Sequence, residues 1–332
     1  MSKKHTRHIF WILICALFTV LTGLTQIRAD TLPNDENSNS PIKIITTTAH
    51  IGDLVRNIAG NHAEVTSLMG PGTDPHLYRP VRSDIVKLNR ADMIFYNGRH
   101  LEGQMMELFD TLSNNKPVYG LAYEITNLIR DEDGAYDPHI WMDVQNWIKA
   151  SDSVTEKLSA FKPEFAADFQ KAAGNYKERL QKLDENIKKS IATIPPQNRV
   201  LITAHDAFGY LGSAYGIEVI GIQGLSTSSE AGLHKIESLV RRISKDKIPA
   251  IFTEASVTDQ NIRAIKEGAQ NNGFEVKLGG TLYSDSLGAP DTYTGTYVGM
   301  MEYNVRTITK ALGGTPQNLS KISASELSAA QQ

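Results

Sequence analysis

The chain reads as an α/β protein of two lobes. Each lobe is a four-stranded, mainly parallel sheet covered by helices, and one long helix joins them. Three observations carry this reading. From Ile42 onward, short β-rich runs alternate with helical patterns, the signature of parallel strands linked by helices. The alternation halts at a long amphipathic stretch over 164–194 and then resumes with as many strand-like runs again. Finally, 332 residues of 41% apolar composition can bury enough surface for two domains.

In the first half (residues 42–163), the predicted strands are Ile42–Thr47, Glu64–Met69, Met93–Tyr96 and Val118–Leu121. Each is a short run rich in β-branched or aromatic residues, the composition that suits a half-buried pleated surface. Helical patterns fall near 51–59, 80–90 and 101–113, and a further helix over about 143–161 leads to Pro163.

The stretch 164–194 places Phe165, Phe169, Ala172, Tyr176, Leu180, Leu183, Ile187, Ile191 and Ile194 three or four apart, a one-faced helical stripe. Pro163 suits the first turn, Glu164 complements the positive end and Lys188 and Lys189 the negative end. Pro195 and Pro196 stop it. Such a helix spans roughly 45 Å, enough to lean on two lobes. Gly174 is its weak point, where a bend is expected. The lysines and acids along it read as a solvated face.

The second half (195–313) repeats the alternation. Strands are expected at Val200–Thr203, Glu218–Ile222, Ala250–Thr253 and Glu275–Leu278, with helices near 206–214, 230–245, 258–271 and 295–312. Both halves open alike: ITTTAH ends at His50 and VLITAH at His205, each followed by a helical stretch.

The ends are different in kind. Residues 1–29 combine a basic start (Lys3, Lys4, Arg7), an apolar run from Ile9 to Leu24 and a small residue, Ala29, which reads as a cleavable signal peptide. The run is shorter than the ~20 residues of a spanning helix. Residues 30–41 are a polar, flexible leader and 314–332 a loose Ser/Ala/Gln-rich tail. The one cysteine, Cys15, lies inside the apolar run with apolar sequence beyond it, so a lipid anchor is not expected. The exported chain then has no disulfide and no thiolate metal ligand. Without Lys3, Lys4, Arg7 and Arg28 it keeps 30 basic residues against 37 acidic ones, net −7, a balance that speaks against nucleic-acid binding.

Four residues carry the candidate chemistry. His76 lies in GPGTDPHLYRP, His139 in YDPHIWMD and His205 in ITAHDAFGYL, and Asp285 lies in TLYSDSLG. In the repeated Asp-Pro-His, proline stiffens the backbone ahead of the imidazole. His76 and His205 follow strand-like runs, and ligands of open α/β sheets gather at the carboxyl ends of strands. Taken singly, His76 reads as a loop residue, Asp285 as a turn residue and His205 as a helix cap. Jointly they form a mixed nitrogen and oxygen set that suits a divalent ion such as Zn²⁺ or Mn²⁺.

With these residues the chain resembles the TroA-like metal-binding receptors, the solute-binding subunits of zinc and manganese ABC importers. ITTTAHIGDLVRNIAG, LMGPGTDPHLYRP, ADMIFYNGRHLE, DPHIWMD, VLITAHDAFGYLGSAYG, GIQGLSTSSEAG and GGTLYSDSLG carry the resemblance, which extends from Ile42 to about Gly313. It implies a C-clamp of two lobes on one backbone helix, with metal held between them by His76, His139, His205 and Asp285. It implies a periplasmic, monomeric protein that catalyses no reaction and passes its ion to an inner-membrane permease driven by a cytoplasmic ATPase. Some manganese receptors have Glu at the third position, so His205 places this chain nearer the zinc-type branch.

The metal itself stays open. Many zinc-specific members carry a long His- and acid-rich loop in the first lobe, whereas the stretch between His100 and Tyr136 has no other histidine, only the short acidic cluster Asp131, Glu132 and Asp133. That favours manganese or dual use, although a three-His, one-Asp set intrinsically holds Zn²⁺ more tightly. Asp206, Glu254 and His50 are candidates for orienting the ligands from behind, and Trp141 for packing beside them. Two rival functions are an adhesin with a structural metal and a metal-dependent hydrolase. The latter lacks an HExxH and a separate general base, and four protein ligands would close the site to substrate.

Overall fold

A computed structural model describes residues 40–319. The expected signal peptide at 1–29 (with Cys15), nearly all of the leader and residues 320–332 of the tail lie outside the described residues.

Strands β1 (Ile42–Thr46), β2 (Ala63–Ser67), β3 (Met93–Tyr96) and β4 (Val118–Gly120) form one sheet in the order β2-β1-β3-β4, parallel throughout. Because successive strand side chains face opposite ways, each central strand feeds two cores. Ile44, Met93 and Phe95 point into a large central core, whereas Ile45, Ile94 and Tyr96 join a smaller outer one under Phe109 and Leu112. The helices of this half are α1 (Ala49–Ala59), α2 (Arg82–Arg90), α3 (Met106–Ser113) and α4 (Val144–Phe161). Thr48 caps α1, its hydroxyl accepting the Ile51 N–H at 3.4 Å.

The long stretch begins as a 3₁₀ turn at Pro163–Phe165 and continues as α5 (Ala166–Ala192), unbroken through Gly174. Its apolar stripe buries Phe169, Tyr176, Leu180, Leu183, Ile187 and Ile191, with Ala173 rather than Ala172 filling the remaining step. One acid departs from the expected solvated face. Asp184 is buried, and it accepts hydrogen bonds from Gln145 of α4 (2.9 Å) and from Tyr215 beyond the long helix (2.9 Å). A single carboxylate on α5 therefore ties both halves of the chain to it.

The second half holds β5 (Val200–Thr203), β6 (Glu218–Gly221), β7 (Ala250–Glu254) and β8 (Lys277–Leu282), with α6 (Gly209–Tyr215), α7 (Leu233–Asp246), α8 (Gln260–Asn271) and α9 (Tyr297–Ala311). Its four strands are two parallel ladders, β5-β6 and β7-β8, with β5 and β7 side by side. A register irregularity between Ile251 and Thr253 distorts β7. Past it, the Glu254 carboxylate receives the His205 N–H at 2.8 Å, a side chain serving where a ladder carbonyl would. The expected Glu275–Leu278 strand is displaced to Lys277–Leu282, across two glycines. A Cβ on Gly279 would lie 2.4 Å from the Phe252 ring, and Gly280 has φ +131°. Glycine here permits close packing inside a strand instead of ending it.

The central core draws on both halves: Ile44 and Phe95 from the first sheet, Leu201 of β5 and Phe252 of β7, and Phe169 to Ile191 from α5. Ile202 and Ile251, on the opposite faces of their strands, join a separate outer core with α7 and α8. The lobes are thus fused through one apolar mass instead of being hung from a free hinge. Residues 314–318, expected as loose tail, are also fixed: Gln317 N–H reaches Ser190 Oγ (2.9 Å) and Thr315 N–H reaches Thr193 Oγ1 (2.8 Å). These bonds occupy polar groups on the last turns of α5.

Candidate metal centre

Each half of the chain delivers two of the four candidates from the ends of its strands and the turns beyond. His76 lies in the turn after β2. His139 precedes a 3₁₀ turn at Ile140–Met142 that leads into α4, His205 follows β5, and Asp285 follows β8. The two Asp-Pro-His turns are built alike. Asp74 Oδ1 accepts the His76 N–H at 2.9 Å, and Asp137 Oδ1 accepts the His139 N–H at 2.9 Å. Each is an Asx turn with proline at its middle residue, so both imidazoles leave the backbone from a pre-set conformation. Asn97 fastens the second turn by donating to the Pro138 carbonyl (2.9 Å). Asp285 is set by Asn304 of α9, which pairs with the Tyr283 backbone at both N–H (2.9 Å) and carbonyl (2.6 Å).

The four side chains converge. His76 Nε2 lies 3.3 Å from His139 Nε2, and His205 Nε2 lies 3.1 Å from Asp285 Oδ2. Asp285 Oδ1 is 3.5 Å from His139 Nε2, and its Oδ2 is 3.6 Å from His76 Nε2. One ligand atom from each residue falls within 4.8 Å of all the others. His139 and His205 are fully buried, Asp285 is 2% exposed and His76 6%. Both Asp285 oxygens and His205 Nε2 are buried without a hydrogen-bond partner in the protein. Buried polar atoms left in that condition cost free energy unless a ligand uses them.

Carboxylates behind the rings fix their orientation. Asp137 Oδ1 sits 2.7 Å from His139 Nδ1, and Glu254 Oε2 sits 2.6 Å from His205 Nδ1, the latter close but off the angle of a straight hydrogen bond. A proton held at Nδ1 leaves the Nε2 lone pair facing the centre. Asp206, expected as a possible partner of His205, is on neither ring nitrogen, because Glu254 occupies the Nδ1 side. His50, fully buried, stacks on Trp141 at 5.0 Å and hydrogen-bonds to no ligand. The role of Asp137 is not evident from the proline of the repeated Asp-Pro-His; the signal for it in the chain is the repeat of the aspartate itself.

The electrostatics follow from burial set against charge. Burial drives the His76 imidazole down to about 3, against the pull of Asp285. Burial also opposes charge on His205, but Glu254 and Asp285 outweigh it and hold that ring well above the usual histidine value. Asp285 is opposed by burial and then held below the usual carboxylate range by the three imidazoles, His205 foremost. A cation at the centre would take the place of the proton whose charge Glu254 and Asp285 favour on His205.

A family model described as zinc-uptake complex component A, periplasmic (ZnuA), matches residues 44–311. The chain belongs to this family. ZnuA relatives are similar along almost their full length. The manganese-binding lipoprotein MntA of Bacillus subtilis is 42% identical, covering 90% of this chain and 98% of the relative. The zinc-binding protein TroA of Treponema pallidum is 39% identical, with the same two coverages. The solved structure of that periplasmic zinc-binding protein superposes with a TM-score of 0.81 at 40% identity, covering 82% of this chain and 99% of that one. The fold is therefore the ZnuA-type α/β fold with helix-flanked parallel strands. The family is one of substrate-binding receptors and not of enzymes, which disposes of the hydrolase reading.

Proposed function

We propose that this protein is the metal receptor of an ABC importer. It captures a divalent transition ion, Mn²⁺ or Zn²⁺, with His76, His139, His205 and Asp285 and hands it to a membrane permease powered by a cytoplasmic ATPase. The observation that carries this is the convergence of three Nε2 atoms and one carboxylate from both halves of the chain, buried and backed by Asp137 and Glu254. Both relatives named above are described as binding one of these ions, manganese for MntA and zinc for TroA. Both Asp285 oxygens face ring nitrogens, the placement a bidentate carboxylate needs to raise the coordination number, and this supports Mn²⁺ alongside Zn²⁺.

We assign residues 42–163 and 195–313 to the two lobes and 164–194 to the connection, and we take the receptor to act as a monomer. Its place is outside the inner membrane. Several relatives are named as lipoproteins, which tells against the expected absence of a lipid anchor. Intact mass of the mature chain reads this directly: a lipidated N-terminal Cys15 makes it a lipoprotein, and a start near Asp30 makes it free.

Elemental analysis of protein from its native compartment, paired with Mn²⁺ and Zn²⁺ titrations of the chelated protein, tests the function. A receptor releases its ion to mild chelation and stays folded. An ion that leaves only on unfolding would mark a structural site and support the adhesin reading instead.

A further inference from the structure

We infer that the cavity beside His76 binds a small organic polycarboxylate, the counter-ligand with which the metal arrives. This deepens the receptor reading and rests on it. The cavity is about 540 Å³, and His76 is the one proposed ligand that borders it. A divalent ion with six waters fills only about 200 Å³, at roughly 30 Å³ per water. The space suits a larger guest.

Its wall carries two cations, Arg99 and Arg130. Arg99 lies over the Tyr123 ring (4.6 Å to the centroid) and over Tyr136 (4.5 Å), and Arg130 lies over Tyr136 (3.6 Å). All four line the cavity. Neither arginine takes part in an ion pair among the described residues. Arg130 donates to the Gly134 carbonyl and to Tyr136 Oη, whereas Arg99 makes only a long Nε contact with the Ala122 carbonyl (3.5 Å). The terminal nitrogens of Arg99 have no acceptor among the described residues, so a guanidinium fork is left for a guest.

The backbone is bent to put it there. Arg99 (φ 53°) and His100 (φ 64°) are both left-handed, and they follow Gly98 (φ 88°), where a Cβ would lie 2.6 Å from Tyr123. Left-handed residues other than glycine are costly and persist where surrounding structure requires them, often at ligand sites. Here the buried Glu102 carboxylate holds the turn, accepting the Asn97 N–H (2.8 Å) and the Gly98 N–H (3.0 Å), and Arg99 stacks on the two tyrosines from it. Asp131, Glu132 and Asp133 share a turn with Arg130 but do not line the cavity.

A wall of unpaired guanidiniums gives a bare cation no electrostatic help on its way to His76. It does attract an anion, and the guanidinium fork matches a carboxylate in a bidentate pair. A ligand that reaches from Arg99 and Arg130 to His76 must pair with arginine at one end and hold the metal at the other. A polycarboxylate does both.

Calorimetric titration tests this with citrate alone, manganese chloride and manganese citrate, on metal-free protein and on its Arg99→Gln and Arg130→Gln variants. Wild type should bind citrate, alone or only as its manganese complex, with saturation at or below millimolar concentration. Saturation by free citrate marks the acid itself as guest, and radiolabelled citrate retained on the protein only when it is added as manganese citrate marks the chelate. Each variant should lose about tenfold of that affinity and hold its manganese chloride affinity within about twofold. No citrate retained from either form, or equal citrate affinity in wild type and both variants, overturns the inference while manganese chloride binding leaves the receptor reading standing. Failure of manganese and zinc chlorides to bind wild type overturns the receptor reading and this inference with it.

Discussion

Trp141 donates its indole N–H to the carbonyl oxygen of Ser284 at 2.9 Å, joining the residue two past His139 to the residue just before Asp285. The Trp141 carbonyl in turn accepts the Tyr297 hydroxyl at 2.7 Å. Candidate ligands from opposite sides of the long helix are therefore spaced by direct bonds, and Trp141 does more than fill space. Trp141→Phe keeps most of the ring but removes the donor. A lost buried hydrogen bond of about 1–2 kcal/mol corresponds to metal affinity falling about five- to thirty-fold, with the fold intact. Competition titration against a chelator reads the change, and unaltered affinity would show that the bond does not set the site.

Asp285 supplies the only oxygens of the set, and both face ring nitrogens. Mn²⁺ depends on oxygen ligands more than Zn²⁺ does. Asp285→Ala should weaken Mn²⁺ by at least tenfold more than Zn²⁺. Equal losses in parallel titrations would refute that dependence.

Asp137 holds the His139 ring through Nδ1 and its turn through the backbone. Asp137→Asn keeps an acceptor for the backbone N–H but removes the charge behind the imidazole. Outer partners of ligating histidines are worth about 10–100-fold in affinity, and a loss in that range is expected. A variant as tight as wild type would make Asp137 a turn residue only.

The pH dependence has a definite sign. Metal needs neutral Nε2 atoms and an ionised carboxylate. Burial already keeps His76 neutral and the imidazoles keep Asp285 ionised, so neither binds a proton near neutrality. His205 is the exception, held protonated above its usual 6.5 by Glu254 and Asp285. Metal binding should release about one proton, and affinity should fall by up to about tenfold per unit as pH drops. The slope should persist above pH 6.5, the ordinary histidine value. Proton release measured by calorimetry in buffers of different ionisation enthalpy tests this, and zero release at neutral pH would contradict it.

The continuous core and the Asp184 junction restrict motion between the lobes. Small-angle scattering of metal-free and loaded protein should give radii of gyration that differ by less than about 1 Å. A clear contraction on loading would count against this and favour a wide hinge.

Much of the fold was legible in the chain because it rests on period and punctuation. Met93–Tyr96 and Val200–Thr203 have the predicted bounds, being short apolar runs with clear stops. The stripe from Phe169 to Ile191 announces α5 because a 3.6-residue period has no other cheap explanation. The strand at Lys277–Leu282 was misplaced because Gly279 and Gly280 mark a break locally, and only the Phe252 ring behind Gly279 shows why glycine stands there.

The residue types at the centre are legible along the chain: two Asp-Pro-His turns, a histidine after a strand and an aspartate past another. What those residues do together depends on the packing of the fold. His76 and Asp285 are far apart in the chain, and their 3.6 Å approach depends on how the two halves of the chain pack on one another, which no local pattern encodes. The choice of Glu254 over Asp206 behind His205 is of the same kind. Asp206 is the neighbour in sequence, but the side-by-side placement of β5 and β7 brings Glu254 to the ring. The carboxylate that touches the imidazole is set by strand packing, not by distance along the chain.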